Sequence, residues 1–145
     1  MKAAWYSRNG EAQDVLQVGD LPTPIPQAGE VLVRLATSGV NPSDVKSRRA
    51  RPVSDPLIVP HSDGAGVIEA VGAGVPASRV GERVWLWNGQ WQRALGTCAE
   101  CIALPSDPAA TLPESTPFRS GRRRGGEKGK YPLAPVDLKK KHKQA

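Results

Sequence analysis

Short apolar runs, separated by turns rich in glycine and proline, constrain this chain more than any other feature of its sequence. In residues 30–40, Val31, Val33 and Leu35 recur at a period of two, which is typical of a β-strand. Further strands are predicted over residues 2–7, 66–71, 83–87 and 99–104, with a short apolar run at 15–18. Short strands at this close spacing predict a mainly β barrel or sandwich.

Proline marks the places where strands cannot continue. Residues 21–26 contain three prolines, and each removes a backbone donor, so this stretch is predicted to be an extended connector outside any sheet. Residues 51–60 also contain three prolines and are predicted to be loop. Between them, residues 43–48 are compatible with one helical turn that has Pro42 or Ser43 near its start.

The formal net charge of +6 belongs to one end of the chain. Residues 1–117 have two more acidic than basic side chains, whereas residues 118–145 carry ten Lys or Arg against two Asp or Glu. This basic segment has too few apolar residues to build a core, so residues 118–145 are predicted to be a disordered tail. A basic surface for nucleic acid on residues 1–117 is not expected.

The composition also sets expectations about location. No run of about 18 apolar residues is present, so no membrane span is expected. The N-terminus is not followed by an apolar segment of the kind that secretory signals contain. Two cysteines cannot form a disulfide framework, and a cytoplasmic location is therefore the default expectation.

Two polar clusters carry the residues of chemical interest. One covers residues 38–46 and follows the strand at 30–40, and the other covers residues 60–66. Polar groups at the end of a strand project from a rigid edge, which favours a ligand site. Asn41, Ser43 and Asp44 are also the residue types of Asx-turns and helix caps, and the two roles are compatible.

Six stretches, taken in their order and spacing, resemble the N-terminal GroES-like domain of medium-chain dehydrogenases/reductases. They are residues 1–3, 29–34, 39–44, 62–72, 80–84 and 96–100. The resemblance is greatest to the zinc-free quinone oxidoreductases related to zeta-crystallin, and it extends to about residue 114. It implies a GroES-like, partly open β-barrel over residues 1–117, which caps a nucleotide-binding domain with the reaction cleft between them.

The resemblance also indicates whether this chain has the ligands for zinc. Where zinc-using alcohol dehydrogenases of this superfamily have a ligand Cys, this chain has Asn41, and where they have His followed by Glu it has Ser62 and Asp63. An amide and an alcohol are poor substitutes for thiolate and imidazole at zinc. The four-cysteine lobe of those enzymes has no counterpart here. No zinc is therefore expected.

Without a metal, the resemblance implies hydride transfer from NADPH to a quinone or an enone. Asn41 and Asp44 would lie on the cofactor side of the cleft, and Ser43 would occupy the position of a proton-relaying hydroxyl, the implied catalytic residue. Residues 47–51 lack the tyrosine found in many relatives. Arginines there, Arg48 included, are interpreted as contacts to an anionic ligand or to the cofactor phosphate.

The sequence contains no strand–glycine turn–helix unit. Gly64-Ala65-Gly66 resembles half of a dinucleotide fingerprint, but it precedes a strand, so that interpretation is rejected. A truncated reductase with a frameshifted tail, inactive alone, is the preferred hypothesis. The alternative is a non-catalytic binding module whose basic tail docks on a polyanion. The exposed cleft face predicts self-association or a homodimer.

Three other features are given plain structural interpretations. Cys98 and Cys101 supply half of a tetrahedral metal site and point to opposite faces of a strand, so no metal or redox role is assigned. His61 is interpreted as a loop or cleft-edge histidine. Trp85, Trp87 and Trp91 are expected to pack the barrel and its edge rather than to stack on bases, and Trp85 and Trp87 share a strand face by their spacing.

Overall fold

The computed structural model describes residues 1–121, and it consists mainly of β-strands. The strands are β1 Lys2–Trp5, β2 Gln17–Asp20, β3 Glu30–Gly39, β4 Asp63–Val71, β5 Arg83–Leu86, β6 Cys101–Pro105 and β7 Ala109–Thr111. The helices are α1 Ala12–Val15, α2 Pro42–Ala50 and α3 Phe118–Gly121, with a 3-10 turn at Ala77–Arg79. None of the described helices is long and apolar enough to cross a membrane.

The strands form two antiparallel sheets. The larger has the order β6-β3-β4-β5-β7, and β1 and β2 form a separate two-stranded sheet. Isolated bridges join Ala3 to Ala99 and Tyr6 to Ile58, and thereby fasten the small sheet and its exit segment to the rest of the domain. The sheets are open rather than closed into a ring, which confirms the predicted mainly β, partly open GroES-like barrel.

The alternation of β3 separates two apolar clusters. Val31 and Val33 are fully buried in the main core with Ile68 of β4. Leu32, between them, is 8% exposed and packs on the other face of the sheet in a smaller cluster with Cys101. Apolar side chains therefore pack on both faces of β3, while β4 and β6 pair with its two edges.

Some boundaries differ from the sequence expectation. The apolar run at 15–18 is split, because Val15 ends α1 and is buried, whereas β2 begins at Gln17 and leaves Val18 80% exposed. β7 was not predicted, since its Ala-Ala-Thr sequence carries no alternation. Helix α2 is longer than the predicted single turn.

Regular structure continues past the predicted boundary at Pro117, because residues 118–121 form helix α3. The Arg83 guanidinium lies 4.4 Å from the centroid of the Phe118 ring, a cation–π contact. Thr37 Oγ1 donates a 3.2 Å hydrogen bond to the Phe118 carbonyl. Helix α3 is thus attached to the sheet. The predicted disorder of the remaining tail falls on residues 122–145, which lie outside the described residues.

Candidate functional site

Asn41 begins helix α2 and Asp44 closes its first turn. The Asp44 carboxylate accepts a 2.6 Å hydrogen bond from the Asn41 backbone N–H, and Pro42 occupies the first helical position. Both features are typical of a helix N-terminus, where free N–H groups and the helix dipole favour an acidic side chain. The cap interpretation of Asp44 is therefore confirmed.

The side chain of Asn41 reaches across to β4. Its Nδ2 donates a 2.9 Å hydrogen bond to Oδ2 of Asp63, which is only 3% exposed. Burial raises the pKa of Asp63, the Asn41 hydrogen bond partly offsets this, and the charge of Asp44 raises the pKa further. Two positions that distinguish this chain from zinc-using relatives are thus bonded to each other.

A chain of hydroxyl hydrogen bonds runs beside this pair. Thr97 Oγ1 donates to the Asp63 carbonyl at 2.8 Å and lies 2.9 Å from Ser38 Oγ. Ser38 Oγ in turn lies 3.0 Å from His61 Nδ1. Because a hydroxyl has one proton and that of Thr97 is used on Asp63, Ser38 must donate to Thr97. Nδ1 of His61 must then carry a proton and donate it to Ser38.

This hydrogen-bond chain fixes the tautomer of His61. Burial lowers the pKa of His61, although the charge of Asp44 opposes the shift, so the ring is neutral at pH 7. A neutral ring with its proton on Nδ1 has an unprotonated Nε2, which can accept a hydrogen bond. Nε2 makes no hydrogen bond to any residue from 1 to 121. The Nε2 atom of His61 can therefore accept a hydrogen bond from a neighbouring donor.

His61 is held in an uncommon backbone conformation by the segment around Gly96. Its φ is +78°, in the left-handed region that non-glycine residues rarely adopt. The Thr97 N–H donates to the His61 carbonyl at 2.8 Å, and the Gly96 N–H donates to Val59. A Cβ on Gly96 would approach three carbonyl oxygens, that of His61 included, to less than 3.0 Å. Only glycine allows this close packing.

The sequence predicted no role for Thr97, and none for Ser38 beyond its place in the polar cluster at residues 38–46. Thr97 is fully buried and polar, and it follows a glycine within one of the family-like stretches. Ser38 is the last polar residue before the end of β3. The available signal was therefore the Gly96-Thr97 pair, but nothing in its local pattern indicates contact with residues 38 and 61.

Ser43 and Arg48 lie at different parts of helix α2. Ser43 is exposed in the first turn, next to Asn41 and Asp44. Arg48 is 8% exposed, and its Nη1 donates to the Gly10 carbonyl. Its own carbonyl accepts a 3.0 Å hydrogen bond from Asn9 Nδ2. The structure thus brings together Asn41, Ser43 and Asp44, and it places the Arg48 guanidinium against the loop that follows β1.

The described residues offer no cluster suited to zinc. No group of three or more His, Cys, Asp or Glu side chains between residues 1 and 121 is arranged to hold a metal ion. Cys98 is half-buried, Cys101 is buried, both are free thiols, and burial raises the pKa of each. Thiols of raised pKa are poor nucleophiles and poor metal ligands.

Gly64-Ala65-Gly66 lies within strand β4. A Cβ on Gly66 would clash with the Arg34 carbonyl of β3, which is paired one residue away in the ladder. A register shift between Leu35 and Thr37 lies directly opposite. These glycines therefore serve the close approach of two strands at a bulge, and their rejection as a dinucleotide fingerprint is confirmed.

Residues 27–126 match the family model of the alcohol dehydrogenase GroES-like domain. The chain belongs to this family. It is 35% identical over 104 residues to the quinone oxidoreductase of Mus musculus, a match that covers 70% of this chain and 30% of the mouse protein. The chain thus spans less than a third of the length of that curated relative.

Solved structures agree on the fold. A protein from Rhizobium etli CFN 42, named as a zinc-dependent alcohol dehydrogenase protein, superposes with a TM-score of 0.76 at 31% identity, covering 84% of this chain and 36% of that one. A mycobacterial protein solved in complex with NADPH superposes with a TM-score of 0.71 at 28% identity, covering 84% and 37%. Relatives with and without zinc in their names therefore share this domain.

Proposed function

We propose that this domain forms one wall of a cleft in which hydride passes from NADPH to a quinone or an enone without zinc. The observation that carries the proposal is the hydrogen bond between Asn41 and Asp63. At this position the chain pairs an amide with a carboxylate and offers no thiolate or imidazole. The names of the mouse and mycobacterial relatives support the reaction and the cofactor.

The side chains of this wall bind and orient rather than react. NADPH, when bound, supplies the hydride. Asn41 is held rigidly by Asp63, and Asp44 is held by the Asn41 backbone, so both groups are fixed before a ligand arrives. We assign them to the nicotinamide side of the cleft. Arg48 is committed to Gly10 and is the least suited of the expected cofactor contacts.

Ser43 is the proposed catalytic hydroxyl. Hydride addition to a quinone or an enone leaves an oxygen anion, which must gain a proton. Ser43 is exposed beside Asn41 and can donate its proton to that oxygen and recover one from water. His61 then acts as a positioning residue, because its hydrogen-bond chain through Ser38 fixes the polar edge on which this wall is built.

The strand-to-helix connections within residues 1–121 each lack the glycine-rich G-x-G-x-x-G turn that holds a dinucleotide. The second wall of the cleft therefore has to come from a nucleotide-binding domain. We expect the 145-residue chain to show no quinone-dependent oxidation of NADPH by itself. A cytoplasmic location and self-association remain predictions of the sequence, and the polyanion-binding alternative depends on the tail beyond the described residues.

A titration of the 145-residue chain followed by backbone NMR tests the cofactor side of this wall. Reduced nicotinamide mononucleotide should move the amide signals of Asn41, Ser43 and Asp44. Adenosine 2′,5′-bisphosphate, the other half of NADPH, serves as the matched control and should leave those signals in place. Shifts confined to other parts of the chain, or equal shifts with both halves, would contradict the assignment.

A further inference from the structure

A small cavity lies beside the candidate site. It has a volume of about 240 Å³, and its lining includes Tyr6, Ser47, Arg51 and Gln92. Ser47 lies four residues after Ser43, on the same face of α2 and about one helical turn away, so one helix face carries both the proposed catalytic hydroxyl and a residue of the cavity lining. Sites for drug-sized ligands start at about 300 Å³, so this one suits a smaller molecule.

Tyr6 brings a buried donor to the cavity. The residue is 4% exposed, and its backbone is fixed by hydrogen bonds in both directions with Ile58, which also lines the cavity. The Tyr6 hydroxyl makes no hydrogen bond to any other described residue, and its oxygen is not one of the fully buried unpartnered atoms, so it is accessible to a small ligand. Burial raises the pKa of Tyr6, so the group remains an O–H donor near neutral pH.

Arg51 brings a positive charge. Its backbone N–H donates to the Ser47 carbonyl and its own carbonyl accepts from Asn9, which fixes its backbone at the end of α2, while the residue itself is exposed. Within residues 1–121 its guanidinium has no carboxylate in ion-pair range, whereas the nearby Arg49 pairs with Glu11 at 2.9 Å. Arg51 and Tyr6 line the same cavity. Burial is the largest influence on the pKa of the Tyr6 phenol and raises it, the charges of Arg51 and Arg48 lower it, and that of Asp44 raises it.

The other charged groups of the lining have partners, apart from the buried Arg93 Nε, which makes no hydrogen bond to a described residue. Arg93 pairs with Glu30 at 3.2 Å and donates to the Ala103 carbonyl. The Asp55 carboxylate accepts a 3.0 Å hydrogen bond from Ser54, is exposed, and lies beyond ion-pair range of Arg51. Apolar walls are supplied by Pro52, Val53 and Ile58.

We propose that this cavity binds the carboxylate of an acidic substrate, a small ring or short-chain carbonyl compound that carries one anionic group. The Arg51 guanidinium and the Tyr6 hydroxyl would hold the carboxylate, and the apolar side chains would cover the ring or chain. Arginine suits a carboxylate because its planar fork can donate two parallel hydrogen bonds. Reduction of the bound compound depends on the proposed function, whereas binding of its carboxylate in the cavity does not.

Calorimetric titration of the 145-residue chain with sodium benzoate tests the site, and the uncharged, isosteric benzamide is the matched ligand. Benzoate should bind at least about tenfold more tightly than benzamide at constant ionic strength. Arg51→Gln should weaken benzoate binding by about tenfold or more, and Tyr6→Phe by severalfold, with little change for benzamide. Arg49→Gln removes a neighbouring arginine outside the cavity and should leave benzoate binding unchanged.

Three outcomes would overturn the proposal. They are equal affinity for benzoate and benzamide, an equal effect of Arg49→Gln and Arg51→Gln, and absence of benzoate binding up to about 20 mM. Circular dichroism of each variant establishes that it is folded. Benzoate binding without any response to the nicotinamide half would preserve the anion site and reject the reductase proposal. The converse result would reject the anion site alone.

Discussion

The two ends of strand β3 lie in different surroundings, one apolar and one polar. At its start, Val31 and Val33 are fully buried in the core. At its end, the Ser38 hydroxyl accepts a hydrogen bond from His61 and donates one to Thr97. The Thr37 hydroxyl donates to the Phe118 carbonyl of α3. A single strand thus joins an apolar interior to a polar edge, so the polar groups are held by a rigid frame rather than by a free loop.

The two ends also differ in what they contribute to stability. Burial of an apolar side chain such as Val33 stabilises the fold by about 1.5–3 kcal/mol. At the polar edge, His61 has a positive φ, which costs of order 1–3 kcal/mol. Burial also disfavours the charge of Asp63, and the hydrogen bond from Asn41 offsets part of that cost.

The largest expected effect comes from breaking the close packing at the polar edge. Gly96→Ala would place a Cβ among the carbonyls of residues 59–61, and we expect it to lower the free energy of unfolding by about 3 kcal/mol or more. Gly74→Ala is the control, because that site is open and only its φ of +83° is strained, at about 1 kcal/mol. Urea unfolding measures both, and equal losses would show that the packing at Gly96 is unimportant.

A smaller loss is expected from Asn41→Ala. It leaves the buried Asp63 carboxylate without its hydrogen bond, at a cost of about 1–3 kcal/mol at neutral pH. Loss of the Asn41 hydrogen bond should raise the pKa of Asp63 further. The stability that is lost at neutral pH should therefore return as the pH falls and Asp63 becomes protonated. Adding Asp63→Asn removes the charge and should restore part of the stability. A loss that is the same at every pH would contradict the proposed pairing.

At His61, two substitutions separate the backbone from the side chain. His61→Gly and His61→Ala both remove the bond to Ser38, but only glycine relieves the positive φ. We expect the Gly variant to be more stable than the Ala variant by about 1–2 kcal/mol, the reverse of the usual order in regular structure. Thermal or urea unfolding of the pair measures the difference, and a more stable Ala variant would contradict the strained backbone.

The smallest effect is a pH dependence. The pKa of folded His61 lies below its unfolded value of 6.5, so the unfolded chain binds more protons below that pH. The contribution of neutral His61 to the free energy of unfolding should therefore be fully present above pH 6.5 and should be lost as the pH falls toward the folded pKa. His61→Gln should flatten this decline. The NMR signals of the chain's two histidines, His61 and His142, give the pKa directly, with His142→Ala to assign them. A pKa of His61 above 6.5 would contradict the neutral tautomer.

The apolar start of β3 could be predicted from the sequence, and most of the contacts at its polar end could not. The alternation of Val31 and Val33 identifies β3 because strand periodicity is local. The bonds that join Ser38 to His61 and to Thr97 span 23 and 59 residues, and no local pattern encodes them. Arg48 was expected at the cofactor, but it lies against Gly10 because the second half of α2 packs on that loop.

The most direct test of the proposed cleft is the rate of NADPH oxidation by a chimera. In it, residues 1–121 of this chain replace the GroES-like domain of the mouse quinone oxidoreductase, which is 35% identical over the matched region. We expect a soluble benzoquinone to be reduced at a rate that a zinc chelator does not change, and Asn41→Ala to lower that rate by about tenfold or more. A folded chimera that binds NADPH but reduces no quinone, or one that requires zinc, would contradict the proposal.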